Sequence, residues 1–275
     1  ADYALWWDVP VTEGIVAAAK QVKLFHKWGV GVDNIDFDAC RARGIRIART
    51  TGSNAVPVAE FTVGLMIALG RRIPQAHMAT RAGGWPKNEV WQHSVLLSGK
   101  TVGIVGLGWI GKGVAKRLRG FDCTILYHNR NRLPAEEEAA LGVRYATLED
   151  LLAESDVVSL NCPLTDQTRG MIGAAALARM KRGALLVNVA RGGVVVEADL
   201  VDALRSGHLA GAAVDVFDAE PPPPDHPLLH MENVIVTPHT ASTARENSRR
   251  SVLHWLGNMV RMEKGEEIPA RDLVL

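Results

Sequence analysis

Lys100-Thr101-Val102-Gly103-Ile104-Val105-Gly106-Leu107-Gly108-Trp109-Ile110-Gly111, running on through Lys112 to Arg119 and ending at Asp122, is the stretch whose reading decides the fold. A short apolar run meets a glycine turn and then a helix-like segment. In the spacing G-x-G-x-x-G, Gly106 permits the tight turn, Gly108 lets backbone approach a pyrophosphate, and Gly111 lets helix and strand pack closely. The helix N-terminus supplies amide donors and positive dipole. With 26 glycines in 275 residues such spacings also arise by chance. Here a second apolar run, Cys123 to Tyr127, follows the helix, and strand, loop, helix, strand is the context a dinucleotide site requires.

The same context makes a prediction about the ribose. An acidic residue about 20 positions beyond the glycines normally binds the 2′-hydroxyl of NAD. This chain reads His128-Asn129-Arg130-Asn131-Arg132 there. No carboxylate stands ready to repel a 2′-phosphate, and two arginines can form charge-assisted bonds with one. The reading is NADP(H) in preference to NAD(H), which stays possible. The competing reading, in which Arg130 and Arg132 are solvated loop charges, stays open at this point.

Working outward, the chain alternates strand-like and helix-like pieces on both sides of the fingerprint. Before it come Tyr3 to Trp7, Thr12 to Lys20, Val22 to His26, Asp36 to Arg43 and Ile45 to Ala48. After it come the helices Pro134 to Leu141, the capping box at Thr147 to Asp150, Ala174 to Lys181 and Glu197 to Ser206. Interleaved with them are the strands Asp156 to Leu160, Ala184 to Val189, Gly211 to Val216 and Asn233 to Thr237. This alternation predicts an α/β protein: a doubly wound parallel Rossmann sheet over 54–241 and a smaller α/β domain, discontinuous in sequence, from 1–53 and 242–275. Asn54 to Arg72 reads as one helix apolar all round, which needs cover on every side. Pro74 to Val95, with Trp85 and Trp91, reads as an arm able to help supply it. Tryptophans in such a segment more often pack than react.

Composition excludes several classes. With 31 basic against 30 acidic side chains the net charge is +1, which points to no nucleic-acid or membrane-surface partner. The longest apolar stretch, Phe61 to Leu69, is too short to span a bilayer, and no signal peptide opens the chain. Cys40, Cys123 and Cys162 are odd in number and lack metal-ligand spacing, so no metal is expected and a reducing, cytoplasmic setting is the simplest reading.

Ligands of open parallel sheets bind outside the carboxyl ends of the strands. The residues just past those ends include Arg191, Glu220 and His239, on the same edge as the glycine loop. Taken singly, the arginine can be a surface cation, the glutamate a rim charge before Pro221 to Pro224, and the histidine structural. Together they describe a chemistry. Hydride reaching a carbonyl carbon leaves charge on oxygen, and an imidazolium can supply the proton near neutrality. A carboxylate fixes that ring and raises its pKa, while an arginine grips a substrate carboxylate bidentately. The substrate so described is a small 2-keto acid. In the first domain, the glycines of Trp28-Gly29-Val30-Gly31-Val32 expose backbone amides that can hold a small anion, although a plain turn would look similar.

These residues, in this order, resemble the D-isomer-specific 2-hydroxyacid dehydrogenases, and among them most closely the NADP-dependent glyoxylate and hydroxypyruvate reductases. The likeness runs through Gly29 to Asp36, Val58-Ala59-Glu60, the glycine fingerprint, Cys162-Pro163-Leu164-Thr165, Asn188 to Gly193, Ala213 to Phe217, Glu220-Pro221 and Thr237-Pro238-His239. It implies catalytic roles for Arg191, Glu220 and His239, and substrate contacts from Arg191 and His239 and from the amides of Val30 and Gly31. For the cofactor it implies Val58, Gly106, Leu107, Gly108, Trp109, Ile110, Gly111, His128, Asn129, Arg130, Arg132, Cys162, Pro163, Thr168, Val189, Ala190 and His239, with Asp215 near the nicotinamide carboxamide. It further implies a flavodoxin-like smaller domain, a homodimer built through the cofactor domain, and substrate held in an interdomain cleft; closure about hinges near Thr50 to Asn54 and Ala241 to Arg245 is expected to exclude water.

Two departures from the family's pattern matter. The family's first strand and helix have no counterpart before Tyr3, so a missing N-terminal segment is expected. Relatives acting on formate carry Gln at the position of Glu220, and phosphite-oxidising relatives carry Lys at that of Val30, which disfavours both reactions. The rival readings are an NAD-dependent dehydrogenase of another 2-hydroxy acid and, more remotely, a dinucleotide-sensing corepressor-like scaffold.

Overall fold

A computed structural model describes residues 1–7 and 9–275. The chain forms two compact units, one from 1–57 with 242–275 and the other from 58–241.

The smaller unit contains the parallel strands β1 (Tyr3–Trp6), β2 (Leu24–Lys27) and β3 (Arg46–Arg49), which lie side by side in that order. The central strand, β2, is buried along its whole length. Trp6, Val16, Phe25, Ile35, Cys40 and Ile47 form the core on one side, with Leu24, Ala48 and Ile268 on the other. The long helix Arg245–Glu263 belongs to this unit, and its Asn258 Nδ2 lies 3.0 Å from His26 Nε2. Asp36 caps the helix Phe37–Ala42 by accepting from Ala39 N, and Gly44, at φ +65°, turns the chain into β3.

The larger unit is built on a seven-stranded sheet. Its strands are β4 (Thr101–Val105), β5 (Thr124–His128), β6 (Arg144–Tyr145), β7 (Val157–Leu160), β8 (Ala184–Asn188), β9 (Leu209–Val214) and β10 (Val234–Val236). All pairings are parallel, in the order β10-β9-β8-β7-β4-β5-β6. The order reverses at β4, whose neighbours are β5 and β7, and that is the switch point at which doubly wound sheets bind ligands.

The apolar runs in these strands have a simple cause. Successive side chains point to opposite faces, and both faces are covered. Val105, Leu126, Val158, Leu160 and Leu186 enter one core, while Val102, Ile104, Ile125, Tyr127, Val157, Leu185 and Val187 enter the other. Most of the expected elements begin or end a residue or two from where the sequence places them.

The segment expected as a single helix from Asn54 to Arg72 is helical over Ala55–Gly70. Two further helices follow, Ile73–Arg81 and Lys87–His93. The break is at Arg72, whose backbone is left-handed (φ 50°) just before Pro74 in the first turn of the next helix. Val58, Ala59, Val63, Leu65, Met66 and Leu69 bury against the sheet, so the cover this apolar helix requires comes largely from its own unit. One stripe, Val56, Glu60 and Gly64, stays exposed, and Glu60 pairs with Arg117 at 2.8 Å. The short strand β6 is absent from the sequence-based expectation, because two residues carry no readable period.

Candidate active site

The glycine loop leaves β4 through Gly106, at φ +95°. A side chain there would put its Cβ 2.6 Å from Cys162 N, so the turn both requires and encloses a glycine. At Gly111 a Cβ would lie 2.2 Å from the Gly106 carbonyl oxygen, which is why the helix Trp109–Leu118 can start so close to the strand. Gly108, by contrast, has open space where its Cβ would be, and no side chain caps the helix that follows. First-turn amides therefore face a region that a pyrophosphate can enter. Asn129 Oδ1 accepts from Leu107 N at 2.6 Å, and Gly106 N donates to the His128 carbonyl at 2.9 Å, so the end of β5 braces the loop. Trp109 is exposed at the mouth.

The two arginines beyond β5 are not equivalent. Arg132 donates Nε to Glu138 Oε1 at 2.8 Å and a terminal nitrogen to Oε2 at 2.9 Å, and it lies 5.5 Å from the Tyr145 ring centre. Tyr127 OH donates to the same carboxylate at 2.6 Å. These bonds hold the Glu138 carboxyl at about 2, Arg132 foremost, and burial pushes the Tyr127 hydroxyl up to about 12. Arg132 is thus a strut of its loop rather than a second free cation. Arg130 is exposed and makes no hydrogen bond or ion pair among the described residues. Sequence spacing cannot separate the two, because the partner, Glu138, sits on the next helix.

Farther along the edge, Cys162 is buried, which pushes its thiol up to about 11 and leaves it an apolar wall rather than a nucleophile. Thr168 Oγ1 donates to the Pro163 carbonyl at 2.7 Å and accepts from Thr165 N at 2.8 Å, shaping the loop after β7. Past β8 a residue that sequence reasoning left without a role does the positioning. Buried Asn188 donates to the Arg191 carbonyl at 3.0 Å and accepts from Ala190 N at 3.0 Å, so it folds the Val189-Ala190-Arg191 turn around itself. An amide side chain ending an otherwise apolar strand was the available signal. Arg191 Nη1 donates to the Ala190 carbonyl at 2.8 Å.

Asp215 holds the histidine loop. Buried at the end of β9, its Oδ1 accepts from Thr237 Oγ1 at 2.6 Å and from Thr240 N at 2.9 Å, and its Oδ2 accepts from Ala241 N at 3.0 Å. Its carbonyl accepts from His239 N at 2.8 Å. His239 is left-handed (φ 52°), a conformation that costs a non-glycine residue about 1–2 kcal/mol and that these bonds stabilise. The carboxylate expected beside the nicotinamide is therefore engaged in the scaffold of His239.

The imidazole meets its partner directly. His239 Nδ1 lies 2.7 Å from Glu220 Oε2, while Glu220 Oε1 accepts from Phe217 N at 3.0 Å. A carboxylate only accepts, so Nδ1 carries the hydrogen and Nε2 is the atom left to exchange a proton. The hydrogen bond His239 donates to Glu220 raises the His239 pKa, against burial and the charge of Arg191. For Glu220, burial pushes the carboxyl up, but the bonds from His239 and Phe217 N outweigh it and hold the group below its ordinary value. A cavity of about 300 Å³ opens beside the pair, walled by Phe217, Pro221, Leu229, Val236 and Pro238.

Arg191, Glu220, His239 and the glycine loop all belong to one unit and follow carboxyl ends of its strands. Val30 and Gly31 lie in the other unit. Their amides make no hydrogen bond among the described residues, and Thr50 Oγ1 fixes the loop by donating to the carbonyls of Trp28 and Gly29 at 2.9 and 3.0 Å. No group of metal-ligating side chains occurs among the described residues, and no helix there is long and apolar enough to cross a membrane.

A glycine cradle at the switch point with an imidazole–carboxylate pair on the same edge defines a nicotinamide-dependent dehydrogenase. Residues 63–241 match the family model described as D-isomer specific 2-hydroxyacid dehydrogenase, NAD binding domain, and the chain belongs to that family. A glyoxylate reductase of Korarchaeum cryptofilum is 42% identical, over 94% of this chain and 79% of its own. A D-3-phosphoglycerate dehydrogenase of Archaeoglobus fulgidus is 39% identical over 94% of this chain, which spans about half (48%) of that longer protein. Among solved structures, the Granulicella M. formate dehydrogenase superposes with a TM-score of 0.94 at 33% identity, over 100% of this chain and 74% of its own.

Proposed function

We propose that the chain is an NADPH-dependent reductase of small 2-keto acids, of the glyoxylate and hydroxypyruvate type. The observation that carries the reading is the 2.7 Å bond between Glu220 and His239, beside Arg191 at the mouth of the glycine loop's sheet. The reaction consumes a keto acid, a hydride and a proton and yields the 2-hydroxy acid. Bound nicotinamide supplies the hydride. Glycines 106, 108 and 111 and the amides opening the helix at Trp109 fit its pyrophosphate, and Arg130 fits a 2′-phosphate.

The side chains of this chain do the rest. Arg191 binds the substrate carboxylate and stabilises charge developing on the carbonyl oxygen. Glu220 fixes the ring of His239 with Nε2 available and favours its charged form, so that Nε2–H delivers the proton to that oxygen. The pair also argues against formate as substrate. Oxidation of formate ends in carbon dioxide and leaves no oxygen to protonate, so a charged Glu–His pair would have no work there.

The amides of Val30 and Gly31, in the smaller domain, suit a small anion. A second copy of the chain fits the exposed Ile73, Met78, Trp85, Trp91 and Leu96, as a homodimer would. An NAD-dependent reaction on another 2-hydroxy acid is the second reading, favoured by the match to an NAD-binding family model. Initial rates with glyoxylate and hydroxypyruvate, each with NADPH and NADH, separate the two. Turnover preferring NADPH is expected. Turnover with NADH alone would overturn the cofactor assignment, and none with either acid would overturn the substrate assignment.

A further inference from the structure

The site contains a second histidine–glutamate pair that the chemistry above does not use. Glu197 opens the helix Glu197–Arg205, a short way along the chain from Arg191. Its Oε1 accepts from Asp218 N at 2.8 Å, and its Oε2 lies 3.0 Å from His226 Nε2. His226 Nδ1 in turn accepts from Leu228 N at 3.3 Å, and the ring meets Phe217 edge-on at 5.5 Å. We infer that Glu197 and His226 are positioning residues for catalysis, fixing the loop 217–228 so that Glu220 reaches His239.

This loop needs such a fastening. Asp218, Ala219, Glu220 and Pro221 are exposed, so little burial holds them. Two consecutive amides do: Phe217 N is held by Glu220, and Asp218 N by Glu197. Because the first bond comes from the catalytic carboxylate itself, only the second ties that turn to a separate element. The other end of the loop is closed by His226, and both ends thereby meet on one carboxylate. Gly192 lies directly beneath, where a Cβ would sit 1.9 Å from Phe217 C, so the Arg191 turn and the Glu220 turn are stacked backbone on backbone. Glu197 thus couples the residue that binds substrate to the residue that orients the acid.

The tautomer supports the assignment. Leu228 N–H needs an acceptor at Nδ1, so the ring's hydrogen is on Nε2 and points at Glu197. Both nitrogens of His226 are engaged in structure, and neither is available for proton transfer. The charged groups acting on His239 are Glu220, Arg191 and Asp215, and those near the Asp218 turn are Glu197, Asp218 itself and Arg169.

The inference rests on the reading of Glu220–His239 as the proton donor. Its test is the pH dependence of kcat/KM for keto-acid reduction in Glu197→Ala, His226→Phe and His226→Gln, with Glu220→Gln alongside. Phe keeps the ring against Phe217 but loses both hydrogen bonds, whereas Gln retains a donor and an acceptor. Glu197→Ala and His226→Phe are expected to lower kcat roughly tenfold to a hundredfold, as small misplacements at an active site do. They should also move the apparent pKa of His239 down toward about 6.5, leave NADPH affinity within about twofold, and be partly rescued in His226→Gln. Folded variants with the wild-type pH profile would overturn the inference, even with lower thermal stability. Should His226→Phe not fold, the profile of His226→Gln and Glu197→Ala decides. If Glu220→Gln also leaves the profile unmoved, the proton-donor reading fails; if Glu220→Gln shifts it and the Glu197 and His226 variants do not, only the positioning role fails.

Discussion

Two histidine–glutamate pairs sit in one loop system, chemically the same and differently engaged. His239 and Glu220 are 2.7 Å apart with side chains 44% and 37% exposed, and Nε2 of the ring has no protein partner among the described residues. His226 and Glu197 are 3.0 Å apart, only 15% and 21% exposed, and both ring nitrogens are engaged. A bond between imidazole and carboxylate is therefore not by itself a catalytic signature; its place beside Arg191 is what supports the reading. What distinguishes the pair proposed to act on substrate is a ring nitrogen left over.

The sharpest way to break this comparison is to remove each ring. His239→Asn should lower kcat for reduction by roughly 10²–10⁴, the usual worth of a positioned proton donor, with little change in NADPH affinity. Retention of full turnover would end the assignment. The reaction's pH dependence carries the same sign. Reduction needs the protonated ring, so its rate should fall as pH rises through the raised His239 pKa, and oxidation of the hydroxy acid should rise there. Stability follows: the bond's contribution is full below about 6.5 and is lost as pH rises through the folded-state value.

A third histidine extends the contrast with the opposite sign. His26 is fully buried in β2, its Nδ1 donating to the Lys27 carbonyl at 3.0 Å and its Nε2 accepting from Asn258. Burial lowers its pKa to about 4. Between about 6.5 and 4 the unfolded chain binds a proton that the folded chain refuses, so stability drops as pH falls through that window. The loss should reach about 2 kcal/mol by about pH 5. Urea titrations at neutral pH and near pH 5 measure it, and His26→Gln should flatten the dependence. Equal slopes in both proteins would show that His26 does not titrate in this window.

How much of this was legible in sequence follows the same division. The glycine loop, β4 to β10 apart from β6, and the placement of Arg191, Glu220 and His239 past the strands on one edge were readable, because period, turn chemistry and parallel topology are local or near-local facts. The break at Arg72 was not: nothing in an apolar run announces a left-handed residue, although Pro74 hinted at a new start. Nor were the hydrogen bonds of Asn188 and Asp215. Both residues were quoted within motifs, but their work is hydrogen bonding to backbone that only the fold brings near. Glu197 was readable as a first-turn acid and no more, since its partners, Asp218 and His226, lie a strand away.

Arg130 and Arg132 repeat the lesson of the histidines with a smaller expected effect. Two residues apart, they read alike, yet the Arg132 guanidinium is fastened twice to Glu138 whereas Arg130 is exposed and unpaired among the described residues. If an unengaged group is what binds ligand, Arg130→Ser should weaken NADPH relative to NADH by roughly tenfold, about the worth of one charge-assisted hydrogen bond. Arg132→Ser should act differently. It frees the Glu138 carboxylate, so it should disturb the loop, lower stability, and weaken both cofactors by similar factors. Dissociation constants for NADPH and NADH with each variant decide the matter. A phosphate-selective loss in Arg132→Ser with none in Arg130→Ser would reverse the roles, and the rule drawn from the two histidine pairs would not extend to the arginines.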